Sequence, residues 1–520
     1  MTSIVVSLIT GVVLSLAFPK ANLHWVAWFA LAPLMYYVYP LSWKRALICG
    51  LAFGMGYFGA LLYWIMVFGK LPWVVLAVFQ SVFIVGFVAA AKSIGGRMGL
   101  WSRFLLLPAL WLTFEWIRSL GMFGFTWGDL GYSQYKALPV LQIASITGVS
   151  GISFLLALSN AALSNLMTAR RLRMGHGAAH AQVFLVLLLV AGTLVYGFAS
   201  LGSRDTDIGR PIRAAVVQGD VNQDTKIDWK FIERTWSAYT SMTLDAGKRG
   251  ADLIVWPETV VPGHVRRDLY VRTRLSSLAA LAHAQLLVGG WDEDDQGRAY
   301  NSVFLIGPEP VVLGQYSKVH LVPFGEFVPG RKYMPFLKYY RVTAYDTSPG
   351  RGHNTIKADS CRVGTSICFE SIFPEISRRM TASGADLLCV ITNDCWYDWT
   401  AAAEQHMAFS VLRAVENRRW LVRGAGTGIS CIIDPHGRIV ARSEVRRPAV
   451  VASDVRARTD RTFYTTHGDY VLRSSLLVLV LSLVLVLIPR RGSPEPILAP
   501  RTRPRPKPGR TNKTARRISP

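Results

Sequence analysis

Three short segments of this chain end in groups that together could carry out acyl transfer. Arg362-Val-Gly-Thr-Ser-Ile-Cys-Phe-Glu370 is an apolar run that closes on a thiol, Cys368, and then a carboxylate. Ala251-Asp-Leu-Ile-Val-Trp-Pro-Glu258 has the pattern of a buried strand ending in a carboxylate. Tyr316-Ser-Lys-Val-His-Leu-Val-Pro-Phe-Gly-Glu326 supplies Lys318 and a second carboxylate. An ordinary thiol titrates near about 8.5, so only a minority is thiolate at neutral pH and a base must take its proton. Glu258 is the candidate base. Attack on an acyl carbon creates an oxyanion, which Lys318 and the backbone N–H of Phe369 could stabilise. Taken singly, each residue has a plainer reading: a cysteine ending a buried strand is commonly a small core residue, and a lone glutamate or lysine says little.

The elements that must position these groups fall into two kinds. Apolar runs of spanning length dominate the first 200 or so residues, at about 3–18, 24–40, 46–67, 72–94, 103–120, 144–168 and 181–201, with an eighth at about 472–489. The first lacks the basic start and the cleavage site of a signal peptide, and reads as a span. Between spans seven and eight, short β-rich runs alternate with helical stretches, for example 212–217, 253–256, 286–288, 302–306, 362–368, 387–391 and 429–433, with helices at 231–248 and 404–417. Gly250-Ala-Asp-Leu-Ile-Val and Gly384-Ala-Asp-Leu-Leu-Cys-Val-Ile share a helix-stop, strand-start pattern, as in repeated αβ units. Strand C-terminal ends line the crevice of an α/β sheet, so the three motifs can converge there.

Charge sets the orientation. Lys44 and Arg45 follow span two; Lys92, Arg97 and Arg103 surround the gap after span four; Arg170, Arg171 and Arg173 follow span six. These are alternate loops, cytoplasmic by the positive-inside rule, which puts the reactive segment on the other side. The formal net charge is +24. Ten Lys/Arg against one Glu in 490–520 supply a large part of it, in a proline-rich stretch that cannot build a core. That tail suits anionic lipid headgroups, and no nucleic-acid partner is expected. The expected division is a membrane domain at 1–204, a catalytic domain at 205–470, a last helix at 471–489 and a disordered tail at 490–520. Six cysteines without a CxxC pair point to neither a zinc site nor a disulfide framework.

Within span five, Glu115 and Arg118 lie one helical turn apart. A lone charge at mid-bilayer costs roughly 2.5–3.5 kcal/mol, so a mutual pair is expected, either packing helices or facing a headgroup or the catalytic domain.

Over about 212–455 the sequence resembles the carbon–nitrogen hydrolase (nitrilase) superfamily, through Val255-Trp-Pro-Glu258, the Lys318–Glu326 segment, Gly364-Thr-Ser-Ile-Cys-Phe-Glu370 and Ile391-Thr-Asn-Asp394. Over about 10–490 it resembles the apolipoprotein N-acyltransferases, through Leu16-Ala-Phe-Pro19, Pro108-Ala-Leu-Trp-Leu-Thr-Phe-Glu-Trp-Ile-Arg118 and Trp127-Gly-Asp-Leu-Gly-Tyr-Ser-Gln134 as well. The resemblance implies an αββα sandwich beside about eight transmembrane helices, with a Glu258–Lys318–Cys368 triad. It also implies supporting roles for Glu326 and Glu370 and a substrate-side aromatic at Trp229. Phe369 stands where the family commonly has tyrosine. Arg423-Gly-Ala-Gly-Thr-Gly428 is more glycine-rich than the family's version, and its GxGxG spacing lacks the βαβ setting of a dinucleotide loop.

The implied reaction is ping-pong. A phospholipid acylates Cys368, and the thioester then passes to the N-terminal amine of an S-diacylglyceryl cysteine on an apolipoprotein, at the periplasmic face of a bacterial inner membrane. No cofactor is expected, and the resting state is expected to be a monomer. Without the resemblance, the residues leave open a membrane-anchored amidase using the same triad, or a non-catalytic polytopic scaffold.

Overall fold

The computed structural model describes residues 1–487 apart from 97, 175–176, 204, 222–228, 334–342, 344–345 and 398, and apart from the side chains of 205, 229 and 230. The basic tail and the Trp229 side chain lie outside the described residues.

The N-terminal half is helical: α1 (Thr2–Ser15), α2 (Ala32–Tyr37), α3 (Trp43–Leu61), α4 (Lys70–Gly95), α5 (Leu100–Arg118), α6 (Leu138–Leu141), α7 (Ala144–Leu172) and α8 (Gly177–Gly202). Close packing needs small residues, because lipid provides no hydrophobic drive between helices. A Cβ on Gly11 of α1 would lie 2.2 Å from the Phe53 carbonyl oxygen of α3, and one on Gly56 of α3 would lie 2.3 Å from that of Leu8. The outer faces of α4 and α8 keep large apolar side chains exposed, including Val75, Val82, Leu187 and Val195, as lipid contact requires.

The expected span at 24–40 is not one continuous helix. A 3-10 turn (His24–Trp28) is followed by the six-residue α2, which opens on Pro33. Proline is at home in a first helical turn but cannot donate to a preceding one. Asn160 of α7 closes the break. Its Oδ1 accepts from Leu31 N–H (2.9 Å) and Ala32 N–H (2.8 Å), and its Nδ2 donates to the Ala27 carbonyl (2.9 Å). The broken segment still runs from one end of the bundle to the other. Lys20 Nζ before it donates to Trp399 O in the catalytic half, while Lys92 Nζ at the far end of α4 donates to Val38 O and Leu41 O.

The other half contains β1 (Arg210–Gln218), α9 (Trp229–Lys248), β2 (Leu253–Val255), α10 (Leu269–Ala282), β3 (Gln285–Glu293), β4 (Ala299–Ile306), β5 (Val312–Ser317), β6 (Ile356–Lys357) and β7 (Arg362–Ile367). It continues through α11 (Pro374–Ala382), β8 (Leu387–Thr392), α12 (Ala402–Asn417), β9 (Leu421–Ala425), β10 (Cys431–Ile433), β11 (Ile439–Arg442), β12 (Ala449–Ala457) and α13 (Phe463–His467). The chain then returns to the bundle as α14 (Tyr470–Leu487). Among the described residues, α4, α7, α8 and α14 are long and apolar enough to cross a membrane.

Two six-stranded sheets form, ordered β12-β1-β2-β3-β4-β5 and β11-β10-β9-β8-β7-β6. β1, β2 and β3 run parallel, as do β7, β8 and β9, so the two glycine-started echoes in the sequence occupy equivalent places. Alternation along a strand sends successive side chains to opposite faces. Leu253 and Val255 join the core between the sheets, and Ile254 joins a second cluster under α9 and α10 with Trp236, Tyr239 and Leu275. Within that αββα sandwich α12 is buried along its whole length except at Glu404, because α7 and the 125–135 loop cover its outer face.

Candidate active site

The three motifs meet at the C-terminal ends of β2, β5 and β7. Glu258 follows β2 in a loop that crosses β3 closely: a Cβ on Gly289 would lie 2.3 Å from the Pro257 carbonyl oxygen. Lys318 follows β5, and its N–H donates to the Asn301 carbonyl (2.8 Å) of β4. Cys368 opens a 3-10 turn (Cys368–Ile372) directly after β7. All three side chains are buried.

Lys318 Nζ lies 3.4 Å from Glu258 Oε1 and 2.9 Å from Glu326 Oε2. Asn301 Nδ2 donates to both carboxylates, at 2.7 Å to Glu258 Oε1 and 2.9 Å to Glu326 Oε1. The Asn393 N–H donates to Glu258 Oε2 (2.7 Å), and the Val322 N–H to Glu326 Oε2 (2.8 Å). Burial works against the lysine charge, but Glu326, Glu258 and Cys368 together outweigh it and hold the ammonium above its usual range. Glu326 therefore sits where it can keep Lys318 charged and oriented.

Cys368 has φ 52°, in the left-handed region that a residue with a Cβ seldom occupies. Strain at a strand-to-helix turn is a recurring way to present a nucleophile. Burial, then the Glu258 charge, pushes the thiol well above its ordinary value, and Lys318 pulls the other way without prevailing. The thiol is thus held in its protonated form, with the Glu258 carboxylate as its charged neighbour.

Glu370 holds the two loops together. Tyr316 Oη donates to it at 2.9 Å, and so do the N–H groups of Val319 (2.6 Å), His320 (3.1 Å) and Ile367 (2.8 Å). Burial raises its carboxyl to about 7 even though these donors and Lys318 favour the charged form. The Phe369 ring packs with Phe373, His320 and, from the helical half, Phe125.

Several functional neighbours carry no pattern of their own in the sequence. Behind Cys368, His406 of α12 faces Cys368 O (3.2 Å), Ser371 Oγ (3.0 Å), Asp394 Oδ1 (3.0 Å) and Arg423 Nη2 (3.1 Å). The Ile372 carbonyl at the end of the nucleophile turn accepts from Thr126 Oγ1 (2.9 Å) and Tyr132 Oη (3.1 Å), both from the loop after α5. Gln405 Oε1 accepts from Trp127 Nε1 (2.8 Å) and Trp64 Nε1 (3.1 Å), while its Nε2 donates to Pro19 O (2.9 Å). Of these, Asp394, Arg423 and the Trp127–Gln134 stretch lie in motifs visible in the sequence, while Trp64, Thr126, Gln405 and His406 do not.

Glu115 and Arg118 do not pair with each other. Arg118 forms its ion pair with Asp129 and also donates to Gln80 Oε1 and Trp127 O, while Glu115 accepts from Trp111 Nε1 (2.8 Å) and the Leu130 N–H (2.8 Å). The returning 125–135 loop brings a carboxylate (Asp129) and a carbonyl (Trp127) to Arg118 and an N–H (Leu130) to Glu115, in place of the helix partner. Among the described residues no cluster of side chains could hold a metal ion, and no disulfide joins any of the six cysteines.

Residues 10–162 match the family model described as "Apolipoprotein N-acyltransferase N-terminal domain", and residues 213–461 match "Carbon-nitrogen hydrolase". The apolipoprotein N-acyltransferase of Geobacter metallireducens is 36% identical over 478 residues, which cover 89% of this chain and 91% of that protein. The chain belongs to the apolipoprotein N-acyltransferases. A second member, from Methylococcus capsulatus, is 31% identical over 90% of this chain and 93% of its own length. Among solved structures, Saccharomyces cerevisiae Nit3, a nitrilase-superfamily member, aligns at 18% identity and a TM-score of 0.38, covering 48% of this chain and 90% of that one. As a member of this acyltransferase family, the chain combines a nitrilase-like α/β domain with apolar helices.

Proposed function

We propose that this enzyme moves an acyl chain from a phospholipid, through a thioester on Cys368, to the N-terminal amine of the S-diacylglyceryl cysteine of an apolipoprotein. The observation that carries the reading is the cluster of buried Glu258 and Lys318 with part-buried Glu326 around a strained cysteine turn whose last carbonyl is held by Thr126 and Tyr132 of the helical half. The match of residues 10–162 favours a lipoprotein transferase over an amidase with the same triad.

Glu258 takes the thiol proton as sulfur attacks the ester carbonyl. Lys318 and the Phe369 N–H receive the oxyanion. The tetrahedral adduct expels the alkoxide of a lysophospholipid, which collects the proton from Glu258. The lipoprotein amine then attacks the thioester, Glu258 takes a proton from nitrogen, and the departing thiolate recovers it. Asn301 and Asn393 aim the glutamate, Glu326 aims the lysine, Glu370 ties their loops, and Trp229 would contact substrate. No cofactor enters any of these steps.

The topology that fits has eight crossings, with the broken 24–40 segment as one of them and the catalytic half on the periplasmic face of the inner membrane. The alternating basic loops support that orientation. A monomer suffices, since every group in the scheme comes from one chain. The test is intact-mass spectrometry after incubation with phospholipid vesicles alone. A gain of one acyl chain, lost on adding a diacylated lipopeptide and absent in Cys368→Ala, is expected. Release of free fatty acid without an adduct would count against the scheme.

A further inference from the structure

We propose that His406 is a positioning residue for the oxyanion donor, acting through the carbonyl of Cys368. The inference rests on the reading of Cys368 as the acylated nucleophile. Cys368 C=O and Phe369 N–H belong to one peptide unit, and a trans peptide is a rigid plane with the two groups pointing opposite ways. Whatever fixes the carbonyl oxygen therefore aims the N–H. The Phe369 N–H has no acceptor among the described residues, as the first N–H groups of a helical turn commonly lack one.

On the carbonyl side the hold is specific. Ser371 Oγ donates to Cys368 O at 2.8 Å, and His406 Nε2 lies 3.2 Å from that oxygen and 3.0 Å from Ser371 Oγ. A carbonyl only accepts, so a hold by His406 requires the proton on Nε2. Nδ1 is then the acceptor, and Arg423 Nη2, a permanent donor, stands 3.1 Å from it. Asp394 Oδ1 is 3.0 Å from the same nitrogen, but the carboxylate has its own donors in Thr392 Oγ1 (2.8 Å) and Arg423 Nη2 (2.9 Å to Oδ2). Burial and then Arg423 push the ring below its usual range, with Asp394 pulling the other way. Donation to a carbonyl also polarises its peptide and strengthens the N–H at the other end.

His406 is fully buried, and the Trp127 ring covers it at 5.6 Å between centroids, so substrate does not reach it. Its effect on catalysis has to pass through the peptide it holds.

The experiment compares two reactions of Cys368 in the full-length protein. Acylation by phosphatidylethanolamine vesicles passes through an oxyanion. Alkylation by iodoacetamide, a displacement at a saturated carbon, does not. His406→Leu is expected to slow single-turnover acylation roughly 10- to 100-fold, somewhat less than outright loss of an oxyanion donor, and to leave alkylation within about twofold of wild type. His406→Gln, whose amide N–H can reach the same oxygen, is expected to recover most of the acylation rate. Ser371→Ala, which removes the other side-chain donor, should show the same split with a smaller loss, and it decides the matter if His406→Leu does not fold. Wild-type acylation in His406→Leu or, failing that variant, in Ser371→Ala overturns the proposal. So does an equal loss of both reactions in the Leu and Gln variants. A wild-type protein that never forms the adduct fails at the earlier step, and this proposal fails with it.

Discussion

Two buried clusters in this molecule are built from the same parts, one cation and two carboxylates. In the catalytic half they are Lys318, Glu258 and Glu326; in the helical half they are Arg118, Glu115 and Asp129. The helical cluster is saturated. Arg118 spends its donors on Asp129, Gln80 and Trp127 O, and Glu115 is held by Trp111 and Leu130. The Lys318 cluster instead faces a thiol, next to a Phe369 N–H that has no acceptor among the described residues. A charge cluster becomes reactive through what it leaves unsatisfied, and ingredients alone do not distinguish the two.

The sharpest way to break the comparison is to remove each cation. Lys318→Met should lower the acylation rate by about 10³-fold, since a dry site depends heavily on its oxyanion partner, while detergent-solubilised protein still elutes as one species. Arg118→Leu should do the reverse. A stranded buried charge costs about 3–5 kcal/mol, to be read as a large drop in Tm, with acylation per folded molecule within a few-fold of wild type. The double variant Arg118→Leu with Asp129→Leu should recover much of that Tm. Equal effects on rate in the two clusters would erase the distinction.

A third measurement concerns the thiol. Its folded value lies above that of an ordinary cysteine because burial and Glu258 outweigh Lys318. Iodoacetamide alkylation of Cys368 should therefore climb about tenfold per pH unit with no plateau up to about pH 9, past the value of about 8.5 where a free thiol levels off. A plateau near neutrality would mean a preformed thiolate. The smallest effect is expected at the joint between the halves: Thr126→Ala removes one donor to Ile372 O and should cost about 1 kcal/mol, seen as a modest Tm shift.

The parts legible in the sequence were those with a local pattern. Apolar runs closing on Glu258 and Cys368 marked β2 and β7 and, with them, the candidate site, because strand ends line the crevice. The repeated Gly-Ala-Asp starts marked the equivalent parallel strands β2 and β8. Long-range pairings left no such trace. Nothing near Arg118 pointed to Asp129 as its partner. The 24–40 run has the hydropathy of a span, yet its backbone breaks and is mended by Asn160, more than a hundred residues away. Gln405 and His406 look like ordinary helix residues until the 125–135 loop is laid over them.

The last helix has a consequence for how the molecule is made. α14 packs against α4, α5 and α7, and just before it Tyr464 of α13 sits where a side chain on Gly148 of α7 would collide. All of these partners are synthesised ahead of the whole catalytic half. A nascent chain halted at Ala457 would hold both sheets and the complete nucleophile turn while the groove along α5 and α7 stood open to lipid. The enzyme's chemistry is therefore encoded after most of its helical bundle but before α14, and the groove along α5 and α7 closes only once both sheets have been made.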